Sequence, residues 1–228
     1  MSSPVDRKEV LKRLMEERGG RFSSNLGIDI DSGSSEEIFK WFLASILFGA
    51  RIRQDAAVRT YQEFEKHGVL SPDAIQRTGW DGLVRILDAG GYARYDFKTA
   101  TKLLGIAEML INRYGGDLNR LHEEARNPRD LELKLMEFKG VGPVTVNIFL
   151  RELRGIWQKA DPFPGDLVIA AARYLGLIES AGGSSGEKRK ILLELERLWE
   201  HANLPYRFSD FEAALVRFGT AHRRKRKA

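Results

Sequence analysis

The stretch MEFKGVGPVTVNIFLREL, residues 136–153, places two glycines directly in front of an apolar segment with helical periodicity. The pattern predicts one helix over Arg129–Phe138 and a second over Pro143–Leu153, joined by Lys139-Gly140-Val141-Gly142. Glycine tolerates positive φ and lets a ligand approach the backbone, and proline is favoured at the first helical position. The second helix would therefore begin with unpaired N–H groups at the positive end of its dipole, which can bind a phosphate oxygen without reading a base.

The same tetrapeptide also fits an ordinary turn between two helices that is closed by a glycine cap. Val141, between the glycines, would pack back between the helices. Val146, Phe149 and Leu150 continue the apolar face of the second helix. Because short glycine-rich turns occur in many helical proteins, the tetrapeptide alone leaves both interpretations open.

One acidic residue, Asp166, stands 24 residues after Gly142, between PFPG and the apolar run LVIAAARYLGL. As a helix N-cap its carboxylate would accept free N–H groups of the helix that follows. At the rim of a cleft the same carboxylate could stabilise developing positive charge or orient a water molecule. One residue can do both. Asp161 in the preceding connector is the competing candidate, although the proline after it favours a turn.

Apolar residues recur with a helical period along almost the whole chain, and no pair of segments shows the alternation of a hairpin of strands. The predicted fold is therefore all-α, with about a dozen helices. Besides the two helices above, the predicted ranges are Asp6–Arg18, Glu37–Gly49, Gln54–Lys66, Pro72–Arg77, Trp80–Leu87, Asp96–Tyr114, Asp117–Glu124, Asp166–Gly176, Gly186–His201 and Asp210–Thr220. Arg21–Ser34 and Arg154–Gly165 are expected to be irregular connectors, and Ser180–Gly186 a loop.

The composition is that of an ordinary globular protein, with 43% apolar and 30% charged residues among 228. The best membrane candidate, Ile38–Ala50, is shorter than the roughly 18 residues of a span and contains Lys40. The chain has no cysteine and four scattered histidines, which excludes disulfides, thiolate zinc sites and cysteine-ligated iron–sulfur clusters. We expect a cytoplasmic monomer without membrane contact, associated with the nucleoid if the source is prokaryotic. A net charge of +5 and a pI near 9.4, with the basic end HRRKRKA, make nucleic acid a candidate partner.

Two longer segments, LMEFKGVGPVTVNIFL (135–150) and FPGDLVIAAARYLGL (163–177), resemble the helix-hairpin-helix (HhH-GPD) DNA glycosylase superfamily, which includes endonuclease III and the adenine and alkylpurine glycosylases. LASILFGARIRQDAAVRTYQEF (43–64), LDAGGYARYDFKTATKL (87–103) and FEAALVRFGTAHRRKRKA (211–228) are similar to further parts of that family. The resemblance implies an all-α, two-lobed helical glycosylase fold with a helix-hairpin-helix motif and a central cleft. One lobe would span residues 37–157 and end in the hairpin, and residues 1–36 and 158–228 would form the other, which carries Asp166.

The resemblance also implies roles for individual residues. Asp166 would be the catalytic carboxylate, stabilising a sugar with oxocarbenium character and orienting the attacking water. The residues implied in DNA binding at the hairpin are Lys139, Gly140, Val141, Gly142, Val144 and Thr145, together with Lys98. The residues implied in filling the gap left by a flipped base are Arg51, Ile52 and Arg53, with Tyr92 and Arg94 as a second wedge. The alternatives are surface solvation for the arginines and core packing for Tyr92.

Three departures from the family pattern change what is expected. Bifunctional members carry a nucleophilic lysine two positions after the second glycine, where this chain has Val144, so a Schiff base is not expected. Where cluster-bearing relatives begin their cysteine loop, this chain continues with Ala221-His222-Arg223, which resembles a branch without an iron–sulfur cluster. Two extra residues precede Lys98, so the shape of that loop should differ. No cofactor is expected to be required, although a structural monovalent cation on the backbone carbonyls of Met136, Phe138 and Val141 is implied by the family.

The sequence thus predicts a monofunctional glycosylase that hydrolyses the N-glycosidic bond of a damaged or mispaired base in double-stranded DNA. One rival is a non-enzymatic helix-hairpin-helix DNA-binding protein that lost its base pocket. Another is a helical protein-interaction domain, in which Gly-Val-Gly only caps a helix. The aromatic residues that could stack on a base are Trp41, Phe42, Phe48, Trp157 and Phe163. Since aromatic residues spaced along helices more often form the core, the sequence leaves the base unidentified.

Overall fold

The computed structural model describes residues 6–92 and 95–225, and within these ranges all regular structure is helical. The helices are α1 (Arg7–Arg18), α2 (Phe22–Asn25), α3 (Ser35–Phe48), α4 (Gln54–Lys66), α5 (Pro72–Ala89), α6 (Asp96–Tyr114), α7 (Leu118–Glu124), α8 (Pro128–Met136), α9 (Pro143–Glu152), α10 (Asp166–Tyr174), α11 (Ser185–Ala202) and α12 (Phe208–Lys225), with a 3₁₀ turn at Ile30–Ser32. No helix in the described ranges is both long and apolar enough to span a membrane.

Side-chain caps explain why several helices begin where they do. Asp6 caps α1, Ser34 caps α3, and Ser184 caps α11, where Glu187 completes a capping box. Each of these residues accepts a hydrogen bond from a backbone N–H that has no partner inside the helix. These side chains therefore define where α1, α3 and α11 begin.

The predicted break between Pro72–Arg77 and Trp80–Leu87 is also present, although the two segments form one continuous element, α5. Gly79 interrupts it with φ +67° and ψ 175°. A residue with a side chain adopts this conformation only at a cost, so glycine permits the kink.

The expectation of a connector without helices over Arg21–Ser34 was wrong. This stretch contains α2 and the 3₁₀ turn at Ile30–Ser32. The ring of Phe22 in α2 lies 4.2 Å from the guanidinium carbon of Arg217, which is far away in the sequence. Such a contact stabilises a short helix without leaving a periodic pattern in the local sequence.

The chain folds into two compact units. Unit 1 comprises residues 1–25 and 161–228, and unit 2 comprises residues 26–160. Residues 26–36 thus belong to unit 2, whereas the predicted boundary places them in the other lobe. They belong to unit 2 because Ile28 and Ile30 are buried and because the 3₁₀ turn packs on α3. Residues 158–160 also belong to unit 2, since the Lys159 ammonium donates to a carbonyl of α7 at 2.8 Å.

The core of unit 1 is built from α1, α10, α11 and α12. Leu14 of α1 is buried in it, and the rings of Trp199 and Phe211 stack with their centroids 5.0 Å apart. Val168 and Ile169 of α10 are buried in the same core, which fixes the helix whose first residue is Asp166.

Unit 2 is centred on α3, whose apolar residues are buried on all sides. The indole N–H of Trp41 donates to the Phe149 carbonyl oxygen of α9 at 3.0 Å. The ring of Phe42 lies between Phe138 and Phe149, with centroids 5.7 and 5.0 Å away. The turn of the helical hairpin and its second helix, α9, are therefore both anchored on one buried helix.

Candidate nucleic-acid interface

The predicted helical hairpin is present in unit 2. Its first helix, α8, ends at Met136, and its second, α9, begins at Pro143, which occupies the first helical position as predicted. The Val141 N–H donates to the Phe138 carbonyl oxygen at 2.9 Å and closes the turn. Both of these side chains are buried, so Val141 packs inward as the sequence indicates.

The backbone of the hairpin requires glycine at one of its two glycine positions but not at the other. Gly140 has φ +84°, and a Cβ there would lie 2.7 Å from Cδ of Lys102, so the fold itself requires glycine. Gly142 has φ −107° and ψ 178°, which any residue adopts, and no described atom lies within 4 Å of a Cβ built on it. No side chain in the described ranges caps α9. The absence of a side chain at position 142 thus leaves the amides at the start of α9 open to a ligand.

The side chain of Lys102 on α6 contacts the hairpin turn at Gly140. Its ammonium donates to the Gly140 carbonyl oxygen at 3.2 Å, and its methylene groups lie against the α-carbon of that glycine. Burial lowers the pKa of Lys102. Lys98 is one helical turn earlier on the same face of α6. Lys102 is not among the residues implied by the family resemblance, although its spacing of four from Lys98 on an amphipathic helix indicates a shared face.

The turn that carries Arg51 and Arg53 lies next to the hairpin as well. A Cβ on Gly49, directly before this turn, would collide with the hydroxyl of Thr145, so the end of α3 touches the first turn of α9. Arg53 forms two hydrogen bonds with Asp55, at 2.9 and 3.1 Å, and these bonds lower the pKa of that carboxyl. Arg51 is exposed and has no hydrogen bond or ion pair with the described part of the chain.

Contacts within unit 2 therefore gather unpaired positive charge around the start of α9. Lys98 and Lys139 are exposed, and neither forms an ion pair or hydrogen bond with a described residue. Ile52 is half-buried, and Val144 on the first turn of α9 is 64% exposed. Open helix amides flanked by unpaired cations form an anion-binding surface that matches the phosphate backbone of a nucleic acid.

One predicted contact is wrong. Tyr92 is 1% exposed, and its hydroxyl donates to the Leu47 carbonyl oxygen at 3.0 Å, so its side chain belongs to the core. Burial raises the pKa of Tyr92 accordingly. Thr145 is 5% exposed, so its side chain is not available for the predicted contact. Arg94, the other predicted wedge residue, lies outside the described residues.

Asp166 stands at the first position of α10, on the surface of unit 1. Gly165 is the N-cap, and no described side chain caps this helix, so the interpretation of Asp166 as an N-cap was wrong. The Asp166 side chain is 93% exposed, and its Oδ1 accepts a hydrogen bond from the Lys188 ammonium at 3.0 Å. The competing residue, Asp161, is 2.5 Å from a guanidinium nitrogen of Arg189. Consecutive cations of α11, Lys188 and Arg189, thus bind the two aspartates on either side of the segment 162–165.

A metal site formed by side chains is not found in the described ranges, where no group of three or more His, Asp or Glu residues could hold an ion. The predicted monovalent cation would instead need the carbonyls of Met136, Phe138 and Val141. The Phe138 carbonyl oxygen already accepts the Val141 N–H, which leaves it one lone pair. Neutral carbonyl oxygens are donors of the kind that replace the hydration shell of an alkali ion.

The aromatic residues considered for base stacking divide by burial. Trp41, Phe42 and Trp157 are buried and belong to the core of unit 2. Phe163, in the connector that leads to Asp166, is 36% exposed. Phe48 is half-buried, with its ring centroid 6.4 Å from that of Trp41. Of the five residues, Phe163 is therefore the most exposed.

No protein-family model matches the sequence, and neither does any curated protein sequence. Among solved structures, that of H. pylori 3-methyladenine DNA glycosylase bound to 1,N6-ethenoadenine is similar over 98% of this chain and 99% of that chain. The TM-score is 0.58 and the sequence identity is 13%. The chain therefore has the all-α fold of a DNA glycosylase, and the fold class predicted from the sequence is confirmed.

Proposed function

We propose that this protein is a base-excision-repair DNA glycosylase that hydrolyses the N-glycosidic bond of a damaged or mispaired base in double-stranded DNA. The observation that carries the proposal is the start of α9, where Gly142 leaves open space in front of uncapped amides and where Lys139, Lys98 and Arg51 supply unpaired charge. The shared fold with a DNA glycosylase supports it.

The hairpin would bind the DNA backbone without reading its sequence. The N–H groups of Val144 and Thr145 have no partner within α9 and can donate to phosphate oxygens. A side chain at position 142 would stand where the phosphate has to approach. The exposed cations add attraction that depends on salt but not on base sequence.

Asp166 would perform the chemistry. When the C1′–N bond breaks, the base leaves with the bonding electrons and the sugar acquires oxocarbenium character, which a nearby carboxylate stabilises most in the transition state. The pairing with Lys188 fixes Oδ1, whereas Oδ2 accepts no hydrogen bond from the described residues and is available to orient water. Addition of that water to C1′, with its proton passing by way of Oδ2 to the departed base or to solvent, gives a free base and an abasic sugar.

We also propose that the reaction stops at the abasic site. A lyase step requires an amine that forms a Schiff base with the sugar aldehyde. The side chain at the position of the nucleophilic lysine of bifunctional relatives is Val144, which is exposed but has no amine. The phosphodiester strand would therefore stay intact until the product is treated with alkali.

A monovalent cation on the carbonyls of Met136, Phe138 and Val141 would add positive charge beneath the bound phosphate. If it contributes, DNA affinity falls when K⁺ is replaced by tetramethylammonium at constant ionic strength, because that ion is too large for a carbonyl site. Equal affinity in both salts would exclude a role for the cation.

Base release from a panel of lesion duplexes tests the proposal. The panel contains alkylated purines, uracil and thymine mispairs, and oxidised bases, each assayed for free base with and without alkali. We expect release from at least one lesion, with strand breaks only after alkali. Asp166→Asn should slow release by about 100-fold or more. Asp161→Asn, the matched control five residues earlier in the chain, should change the rate of release by less than about tenfold.

Three results of this assay would contradict parts of the proposed function. Release that is equally fast in Asp166→Asn would overturn the catalytic assignment. Strand cleavage without alkali would exclude a monofunctional enzyme. Salt-dependent DNA binding by the wild type without release from any lesion would identify the alternative, a non-enzymatic DNA-binding protein.

Gly142→Ala tests the hairpin separately. The backbone at this position is compatible with alanine and nothing surrounds the added methyl group, so the melting temperature should not fall. DNA affinity should nevertheless drop by about tenfold or more, because the methyl group obstructs a charge-assisted hydrogen bond to phosphate. Unchanged affinity in fluorescence anisotropy would show that the phosphate does not bind there.

A further inference from the structure

Two aromatic rings on the surface of unit 2 pack against each other and remain open to solvent. Trp80 of α5 and Phe97 of α6 have ring centroids 5.2 Å apart, inclined by 34°. They are 40% and 59% exposed. The indole N–H of Trp80 donates to the hydroxyl of Thr101 at 3.0 Å, so the indole has a defined orientation.

This exposure is unusual for the large aromatic residues of unit 2. Trp41, Phe42, Tyr92 and Trp157 are all 4% exposed or less. A single exposed ring needs no explanation, but two rings in contact present a flat apolar surface that the core does not use. In the described part of unit 2, Trp80 and Phe97 thus form a preformed aromatic pair on the surface.

The position of the pair links it to the hairpin. Phe97 and Thr101 form one row on α6, and Lys98 and Lys102 form the next row, about 100° further around the helix. Lys102 contacts the hairpin at Gly140. Since the buried side of α6 is formed by other residues, such as Leu103 and Ile106, both rows lie on its outer half.

We propose that the Trp80–Phe97 pair is a stacking surface for an unstacked nucleotide of the DNA strand that the hairpin binds. The proposal rests on the proposed function. Aromatic rings stack on any exposed base, and Lys98, next to Phe97 and without a partner in the described ranges, can bind the adjoining phosphate. Base flipping disrupts the stack of a damaged duplex, so such a nucleotide is present at a lesion and absent from a fully paired duplex.

The fluorescence of Trp80 can be used to detect contact between this residue and a nucleotide. The other three tryptophans are at most 8% exposed, so acrylamide should quench mainly Trp80. We expect a duplex with one unpaired nucleotide to protect the fluorescence of Trp80 from acrylamide, and a fully paired duplex of equal length to protect it much less. Trp80→Phe identifies the signal, because it should remove most of the quenchable fraction.

Binding of the same two duplexes gives the second measurement. Loss of one stacked base weakens binding by about 5- to 100-fold, so Phe97→Ala should lose that much affinity for the duplex with the unpaired nucleotide. It should lose less than about threefold for the paired duplex, where no base face is available. Tyr206→Ala, which removes an aromatic residue that is 46% exposed in unit 1, is the matched control and should leave both affinities unchanged.

Equal protection of Trp80 by the two duplexes, or no protection at saturating DNA, would overturn the inference, and this result needs no variant to fold. Phe97→Leu, which keeps apolar bulk without a ring, should also bind the unpaired nucleotide weakly. If Gly142→Ala weakens DNA binding while Phe97→Ala does not, the hairpin proposal stands and only the stacking surface is wrong. If the protein binds neither duplex, the proposed function fails, and the stacking surface fails with it.

Discussion

Asp166 and Tyr92 show how burial decides the role that a side chain can have. Both were assigned contacts with DNA by their resemblance to a family. Asp166 is almost fully exposed and bound by one lysine, which leaves a carboxylate oxygen accessible. Tyr92 lies in the core, where its hydroxyl hydrogen-bonds a helix carbonyl. The exposure of Asp166 is therefore compatible with a role in catalysis on DNA, whereas the burial of Tyr92 is incompatible with a contact to DNA.

His122 is expected to make the stability of the protein depend on pH. Its ring stacks on Trp157 with the centroids 4.7 Å apart, and its Nε2 lies 3.3 Å from the backbone N–H of Lys159, which it can accept only when unprotonated. Burial, and to a smaller degree the charge of Lys159, lower the pKa of His122 below its usual 6.5. Because the folded state then binds this proton less readily than the unfolded state, the free energy of unfolding falls as the pH drops below 6.5.

Urea unfolding at about pH 7.5 and about pH 5 checks this dependence. His122→Phe keeps a ring against Trp157 but does not titrate. We expect the wild type to lose more stability between the two pH values than the variant. An equal loss in both proteins would show that other groups cause the pH dependence.

The conformation of the helical hairpin depends on the helices that pack against it. α8 and α9 are joined by a turn with one internal hydrogen bond, and Lys102 of α6 contacts this turn at Gly140. The buried helix α3 holds the other side through Phe42 and through the contact of Gly49 with Thr145. The turn is therefore preorganised before a ligand arrives, which reduces the entropy lost on binding.

Gly140→Ala is expected to destabilise the protein for two reasons that can be separated. A residue with a side chain at φ +84° costs about 1–2 kcal/mol, and the new methyl group would also press on Cδ of Lys102 at 2.7 Å. In a Lys102→Ala background only the backbone cost remains. Thermal or urea unfolding of the four proteins should therefore show a smaller loss from Gly140→Ala when Lys102 is absent. Equal losses would mean that the lysine yields without cost.

For the protein as a whole, attraction to DNA should depend more on the distribution of charge than on the net charge. A net charge of +5 on 228 residues is small. Many cations are neutralised by nearby acids, as Arg53 is by Asp55, whereas Arg51 and Lys139 have no partner in the described ranges. Attraction to DNA should therefore come from a few unpaired cations beside α9 and not from a uniformly basic surface.

The salt dependence of DNA binding tests this distribution. Each phosphate contact contributes about 0.9 to the slope of log K against log salt concentration, so Arg51→Met and Lys139→Met should each lower the slope by about that amount. Arg53→Met, a matched change two residues away, should lower it less, because Asp55, which also pairs with Arg59, offsets part of the charge of that guanidinium. A slope reduced equally by Arg51→Met and Arg53→Met would contradict the role given to ion pairing.

Local sequence was enough to place nearly every helix, the hairpin and the aspartate after it, because periodicity and caps are properties of neighbouring residues. Burial of Tyr92, pairing of Arg53 with Asp55, the position of Lys102 under Gly140 and the exposed Trp80–Phe97 pair emerged only from the folded chain. These features depend on which distant segments pack together. A local pattern records the face that a residue occupies, but not the neighbour that covers it or leaves it open.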